Sequence, residues 1–348
     1  MNLIGEHTDY NDCFALPFAL PQRVICAAAA RSDGRVEVRS RQRPNRVLST
    51  VAELATEVAA GWAAYPLGVV WAFREAGYDV RGADLLLDGA VPLGAGLASS
   101  AALGCAVALA LNDLGGFGID RTGLALLAQR AENGFVGAPT GLMDQLAALH
   151  CRPGHLLFLD ARTPEYSHVP VDLAAAGLTL LVIDTRTSHR LAANAYADRR
   201  KECAEAARQL GVESLREATT WAALPAPLDR RARHVITENA RVLATVTALR
   251  RGDFGAVGPL LTASHDSLRA DFEVSVPQLD VAVAAAVGAG AQGARMTGGG
   301  FGGCVIALVD AVSVERVRAA VEEAFAARGF DPAKAFVAVP SGGAQRIG

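Results

Sequence analysis

Three short segments hold most of the residues able to do chemistry in this chain. They are Glu6-His7-Thr8-Asp9 near the start, the run Pro92-Leu93-Gly94-Ala95-Gly96-Leu97-Ala98-Ser99-Ser100, and Gly298-Gly299-Gly300-Phe301-Gly302-Gly303. The second follows an apolar run, Ala83 to Leu87, and opens into an apolar, helix-like stretch, Ala101 to Leu111. Glycines ahead of a helix let backbone N–H groups converge, and the helix dipole adds positive potential, so such a place suits a phosphate. Ser99 and Ser100 at the helix start either cap it or place a hydroxyl on a metal ion. Short acidic and imidazole side chains gathered in one turn, as at Glu6, His7 and Asp9, suit a ligand rich in hydroxyls, each of which donates and accepts. By residue type alone the same turn also reads as a solvated surface loop.

Several phosphate-binding patterns are excluded by spacing. Only Lys201 and Lys334 are lysines, and no glycine precedes a lysine, so a Gly-Lys-Ser/Thr P-loop is absent. Neither lysine sits in the strand context that a protein kinase requires. Gly-x-Gly-x-x-Gly spelling occurs at Gly288 to Gly293 and again at Gly298 to Gly303. The first follows a helix-like stretch and the second runs into a strand-like one, whereas the dinucleotide fingerprint joins a strand to a helix.

The elements that must position these residues belong to a substantial globular core. The chain has 348 residues, 51% hydrophobic and 20% charged, with a formal net charge of −3. That balance gives no electrostatic footprint for nucleic acid, and Arg230-Arg231-Ala232-Arg233 reads as a solvated helix face. The six cysteines are scattered without a Cys-x-x-Cys pair, and Cys105 and Cys304 lie in apolar runs as small core residues. With no leader visible, the expectation is a reduced, cytoplasmic protein with no membrane role. Strands are expected at Val24 to Arg31, Val36 to Ser40, Ala83 to Leu87, His155 to Leu159, Leu178 to Asp184, Ala294 to Thr297, Cys304 to Val309 and Phe336 to Val339. Helical spacing covers Val51 to Ala76 (interrupted at Pro66), Ala101 to Leu111, Arg121 to Phe135 with Asp120 as N-cap, Gly141 to His150, Ala192 to Leu210, Arg231 to Arg250, Val276 to Val287 and Val312 to Ala327. The alternation in the second half is that of an α+β sandwich.

Asn2-Leu3-Ile4-Gly5-Glu6-His7-Thr8-Asp9-Tyr10-Asn11, Pro92 to Leu103 and Arg295 to Cys304 together resemble the galactokinases of the GHMP small-molecule kinase superfamily. Gly141-Leu142-Met143-Asp144-Gln145, Trp62-x-x-Tyr65 and Ser264-His265-x-Ser267-Leu268-Arg269 fit as well, so the resemblance covers nearly the whole chain. It implies an α+β, two-domain GHMP kinase fold: a ribosomal-protein-S5-like domain over 1–174, a ferredoxin-like sandwich over 175–348, and an active site in the cleft between them. It implies that ATP phosphorylates D-galactose at C1, with Mg²⁺ as cofactor. Glu6, His7, Thr8, Asp9 and Tyr196 would bind the sugar, and Asp144 would be the catalytic carboxylate. Gly94, Ala95, Gly96, Leu97, Ala98, Ser99 and Ser100 would wrap the phosphates of ATP, Trp62 and Tyr65 would lie near its base, and Ser100 and Glu132 would hold Mg²⁺. Taken without the resemblance, Glu132 reads as an exposed helix residue, and Asp144 as an acid complementing a helix dipole.

The family pattern carries an arginine ahead of Val-Asn-Leu-Ile-Gly-Glu-His, and Met1 stands here where the valine would be, so the expectation is a chain that has lost its front. Cys13 replaces a usual glycine and Ala98 a usual serine. The alternatives to a galactokinase are a kinase for a related sugar, N-acetylgalactosamine or arabinose, and a catalytically weak sugar/ATP-binding sensor. The expected partners are the sugar and ATP alone, with the protein acting as a monomer.

Overall fold

Strand and helix assignments follow from where apolar residues fall, and the computed structural model describes residues 1–347 except 56–60, 93, 95 and 188–191. The strands are β1 Phe14–Ala15, β2 Val24–Ala30, β3 Arg35–Ser40, β4 Arg43–Thr50, β5 Ala83–Gly89, β6 His155–Asp160, β7 Glu165–Pro170, β8 Leu178–Asp184, β9 Gly293–Thr297, β10 Cys304–Asp310 and β11 Lys334–Ala338. The helices are α1 Ala64–Glu75, α2 Ser99–Gly115, α3 Arg121–Arg130, α4 Met143–His150, α5 Ala192–Leu210, α6 Leu228–Arg250, α7 Val257–Ala270, α8 Pro277–Gly288 and α9 Val314–Ala326.

These elements form two units that are interleaved along the chain. The first comprises Met1–Pro21, Leu93–Leu97 and Arg152–Ser341; the second comprises Gln22–Pro92, Ala98–Cys151 and Gly342–Gly348. The sequence expectation of 1–174 and 175–348 divides the chain once in linear order, and these units are not contiguous in that order.

In the first unit an antiparallel sheet runs in the order β11-β8-β10-β9, beside a smaller one ordered β1-β6-β7. Its central strands are apolar on both faces: Leu180 to Ile183 of β8 and Val305 to Val309 of β10 are buried throughout. Strands covered on both sides lose the alternating pattern and read as continuous apolar runs. Phe272 and Phe325 fill the same core, where α6, α7, α8 and α9 contribute Val235, Leu268, Leu279 and Val317. In the second unit the sheet order is β2-β5-β3-β4, with β3 and β5 parallel and the other pairs antiparallel. Its helices bury Phe73 of α1, Leu111 of α2, Leu124 of α3 and Leu146 of α4.

Some expectations need correcting. Among the described residues of Val51 to Ala76 the α-helix begins at Ala64, and Pro66 sits in its first turn, where its missing N–H costs nothing. The Arg121 to Phe135 helix does start with Asp120 capping the Gly123 amide at 2.7 Å, but it turns π-helical over Ala131–Val136. Strands β4 and β7 and helix α7 were not expected. Arg231, placed on a solvated face, is only 2% exposed. Its guanidinium donates to Glu202 at 2.7 Å and to Glu273 at 2.6 Å, so partnered burial replaces solvation.

Candidate active site

Chemistry-bearing residues collect in two clusters, one in each unit. In the first unit the polypeptide around Glu6 folds into a tight turn that polar groups pin from inside. The Thr8 hydroxyl is fully buried and lies 2.7 Å from the Gly5 carbonyl and 2.8 Å from that of Phe14, with both as possible acceptors. Thr8 thus shapes the turn from within. Asn11 donates to the His7 carbonyl at 2.9 Å, and the Gly5 amide donates to Glu238 at 3.0 Å. Gly5 has φ of +101°, and a Cβ there would come within 2.9 Å of the Ala15 Cα, so only glycine fits. His7 itself is left-handed at φ +61°, a conformation that costs a non-glycine residue about 1–3 kcal/mol and persists where its surroundings over-determine it.

The turn presents Glu6 and His7 in a buried, aromatic-walled environment. Glu6 Oε1 accepts from the Gly298 amide at 2.9 Å and lies 3.5 Å from Arg295, while the Thr297 hydroxyl stands 3.1 Å from it and 3.0 Å from the Asn2 carbonyl. Gly298, at φ +88°, is approached so closely by the Gly96 carbonyl that a Cβ would sit 2.8 Å from its oxygen. The His7 ring lies 4.7 Å from Phe272, 5.2 Å from Tyr196 and 5.8 Å from Tyr10, and its Nδ1 pairs with the Tyr10 hydroxyl at 2.8 Å. Nε2 is buried without a well-formed hydrogen bond among the described residues. Burial, and then the neighbouring His234, push the His7 pKa down to about 3, so the imidazole is neutral at physiological pH and can offer a hydrogen or a lone pair to a hydroxyl. Asp9 opens a 3₁₀ turn, Asp9–Asn11, and accepts from the Tyr10 amide at 2.9 Å. Tyr196, on α5, is half-buried and borders both His7 and Tyr10.

The second unit holds the carboxylates. Glu132 lies in the π-helical turn after α3 and is only 3% exposed. Its Oε2 accepts from the Gln145 amide, and the Thr140 hydroxyl lies 3.5 Å from it and 3.3 Å from Asn133 Oδ1. Oε1 is buried with no well-formed bond among the described residues. Burial raises the Glu132 pKa against the pull of a hydrogen bond from Ser100, and the nearby Asp144 charge raises it further, to about 6. Asp144 stands half-buried in the first turn of α4, and burial lifts its carboxyl above the usual range. Ser99 and Ser100 begin α2, whose N-cap is Ala98 in a left-handed conformation (φ +56°) with no side-chain cap, so the first amides of a 17-residue helix are not capped by a side chain.

Of the glycine-serine run, Gly94 and Gly96 have positive φ (+73° and +70°) and Leu97 is buried, while Ala95 lies outside the described residues. Trp62, in a 3₁₀ turn over Gly61–Ala63, and Tyr65, in the first turn of α1, are both half-buried. The Tyr65 hydroxyl is pushed up by burial and then by the Glu132 charge, which puts it in electrostatic reach of the carboxylates. Sequence reasoning missed Glu238, Gln145 and His234. Gln145 was visible as part of Met143-Asp144-Gln145, but the other two carry no local signal on a long mixed helix.

Comparison with known proteins bears on both clusters. Residues 1–30 match the galactokinase galactose-binding signature, 64–152 the GHMP kinases N terminal domain and 245–327 the GHMP kinases C terminal family. A galactokinase of Streptomyces coelicolor is 49% identical over 357 aligned positions, spanning 100% of this chain and 92% of that protein. One from Mycobacterium tuberculosis is 46% identical, spanning 95% of this chain and 93% of the other. The crystal structure of Lactococcus lactis galactokinase complexed with galactose superposes with a TM-score of 0.94 at 34% identity, covering 99% of this chain and 92% of that one. A mevalonate kinase structure, at 16% identity and a TM-score of 0.68, shares the fold. This chain belongs to the galactokinase family of GHMP kinases.

Proposed function

We propose that this protein transfers the γ-phosphoryl group of ATP to the C1 hydroxyl of D-galactose, giving galactose 1-phosphate and ADP. The observation that carries the reading is the turn at Glu6 and His7, which holds a buried, neutral imidazole beside the Gly299 backbone and among aromatic walls. Glu6, His7, Asp9 and Tyr196 read the sugar hydroxyls, and Thr8 holds the turn that presents them. Asp144 takes or orients the proton of the reacting hydroxyl. The uncapped start of α2, with Gly94 to Ser100, receives the phosphates; Trp62 borders the base, and Tyr65 lies nearer the carboxylates.

The donor set also fits Mg²⁺. Glu132 Oε1 is a buried hard oxygen lacking a well-formed partner, and the Ser100 hydroxyl bonds to the same carboxylate. Bound there, the ion would neutralise charge on the β- and γ-phosphates. Glu132→Gln is expected to raise the KM for Mg·ATP by more than about tenfold while calorimetry finds sugar affinity nearly unchanged. Equal loss of both would remove the metal role.

A panel of sugars with ATP, scored by ADP release, tests the activity. Galactose is expected to exceed glucose in kcat/KM by at least about 10²-fold, because a site built to pair a hydroxyl strongly rejects a ligand that leaves its groups unpaired. Comparable values for the two sugars would overturn the assignment. Preference for N-acetylgalactosamine or arabinose would move it to a related sugar, and binding without turnover would indicate a sensor. We place the reaction in the cytoplasm, supported by six cysteines that are all free. No helix among the described residues is long and apolar enough to cross a membrane. We take the monomer as the working form.

A further inference from the structure

We propose that His234 is a positioning residue for the sugar-binding turn: held as its Nε2–H tautomer between Ser267 and the Glu6 carbonyl, it fixes the peptide that joins Glu6 to His7. This rests on the sugar-binding reading of that turn. His234 lies on α6 and is fully buried. Its Nε2 is 3.1 Å from the Glu6 carbonyl oxygen and its Nδ1 is 3.0 Å from the Ser267 hydroxyl on α7. A carbonyl only accepts, so Nε2 must carry the hydrogen.

The proton inventory then settles the rest. A neutral imidazole has one N–H, and with Nε2–H committed to Glu6, Nδ1 is an acceptor. The Ser267 hydroxyl therefore has to turn toward Nδ1, although Asp271 Oδ2 also stands 3.0 Å away. Asp271 has another donor, because Arg233 binds its Oδ1. Burial supports the neutral form, pushing the His234 pKa down to about 4 against the pull of Glu238, with Arg241 and Arg295 also lowering it. The ring also packs 4.5 Å from Phe272, which in turn packs 4.7 Å from His7, so one aromatic stack braces both histidines.

The consequence reaches the sugar through the backbone. The Glu6–His7 peptide precedes a residue held at φ +61°, and the hydrogen bond from His234 is one of the contacts opposing its rotation. Without that donor a buried carbonyl is orphaned, and the turn gains by moving it. Loss should therefore appear in the KM for sugar and not in the KM for ATP.

The test compares His234→Gln, whose side-chain amide places a donor near the imidazole Nε2, with His234→Leu, which removes the donor at similar volume. Both are measured in the full chain alongside ¹⁵N spectra of the wild-type imidazoles. We expect the Nε2–H tautomer for His234. His234→Leu should raise the KM for galactose by about tenfold or more, as expected for one lost buried hydrogen bond, with the KM for ATP within about twofold, and His234→Gln should recover most of the loss. A wild-type Nδ1–H tautomer, a glutamine variant no better than leucine, or equal rises in both KM values would overturn the proposal. If the leucine variant fails to fold, the tautomer and the glutamine variant's sugar KM, expected near wild type, still decide it. Absence of any wild-type turnover of galactose would sink the activity reading, and the tautomer would still judge this one.

Discussion

Replacing Asp144 with asparagine is expected to lower kcat by about 10²–10⁴-fold while leaving sugar binding nearly intact. Phosphoryl transfer to a hydroxyl requires loss of the hydroxyl proton as the new bond forms, and a carboxylate within reach can accept it. Asp144 sits in the first turn of α4, and its burial raises its pKa, which makes it a stronger proton acceptor. The base must be ionised to act, so kcat should fall as pH drops through an inflection above the usual carboxylate range, and asparagine should abolish that acid limb. If Asp144 only orients the hydroxyl in a loose transition state, the loss of rate remains but the acid limb survives. Near-normal kcat in Asp144→Asn, measured by single-turnover formation of sugar phosphate, would remove it from the mechanism altogether.

The second large effect concerns stability. Glu238 on α6 is fully buried, and accepts from the Gly5 amide at 3.0 Å, the Ser264 hydroxyl at 2.6 Å and the Arg241 guanidinium at 2.7 Å. Burial opposes its charge, yet Arg241 and Arg295 hold its pKa down to about 2. Glu238→Ala strands those donors and leaves buried positive charge uncompensated, a defect that costs about 3–5 kcal/mol. The sign of the pH dependence follows from the depressed pKa. The stabilisation is fully present above the unfolded-state value near 4.5 and is lost as pH falls toward about 2. Urea midpoints of wild type and variant should therefore lie far apart at about pH 6, and the gap should narrow progressively as pH falls below about 4.5 toward about 2. A small gap at the higher pH, or one that widens in acid, would contradict this account.

Legibility in the sequence followed the distribution of apolar side chains. The strand Leu178 to Asp184 and the helix Ala192 to Leu210 are found at the residues expected, because their patterns are long and unbroken. Strand β4 escaped notice because it is an edge strand with mostly exposed side chains and Pro44 near its start, which an edge tolerates. Helix α7 was hidden because Ser264, His265 and Ser267 occupy buried positions where periodicity analysis looks for aliphatic residues. The site divides in the same way. Glu6, His7 and Asp9 were conspicuous as neighbours, whereas Glu238 and His234 act on that turn from more than 220 residues away and look like ordinary residues of a charged helix. Long-range partners of a buried polar group leave no trace in local spacing.

The wide separation of these partners also dictates when the turn can be completed during synthesis. Glu6 precedes Gly298, the amide that binds its carboxylate, by 292 residues. At about 5–20 residues per second, roughly 15–60 s separate their emergence from the ribosome. The second unit is broken only by five residues, Leu93–Leu97, before Cys151, and lacks only its Gly342–Gly348 segment after that point. Most of its chain is thus available while Gly5 and Glu6 still await Glu238, Arg295 and Gly298. Throughout that interval the polar turn is a nascent segment without its anchors, open to holdase chaperones and proteases, and it is among the last parts of the fold that the growing chain can complete.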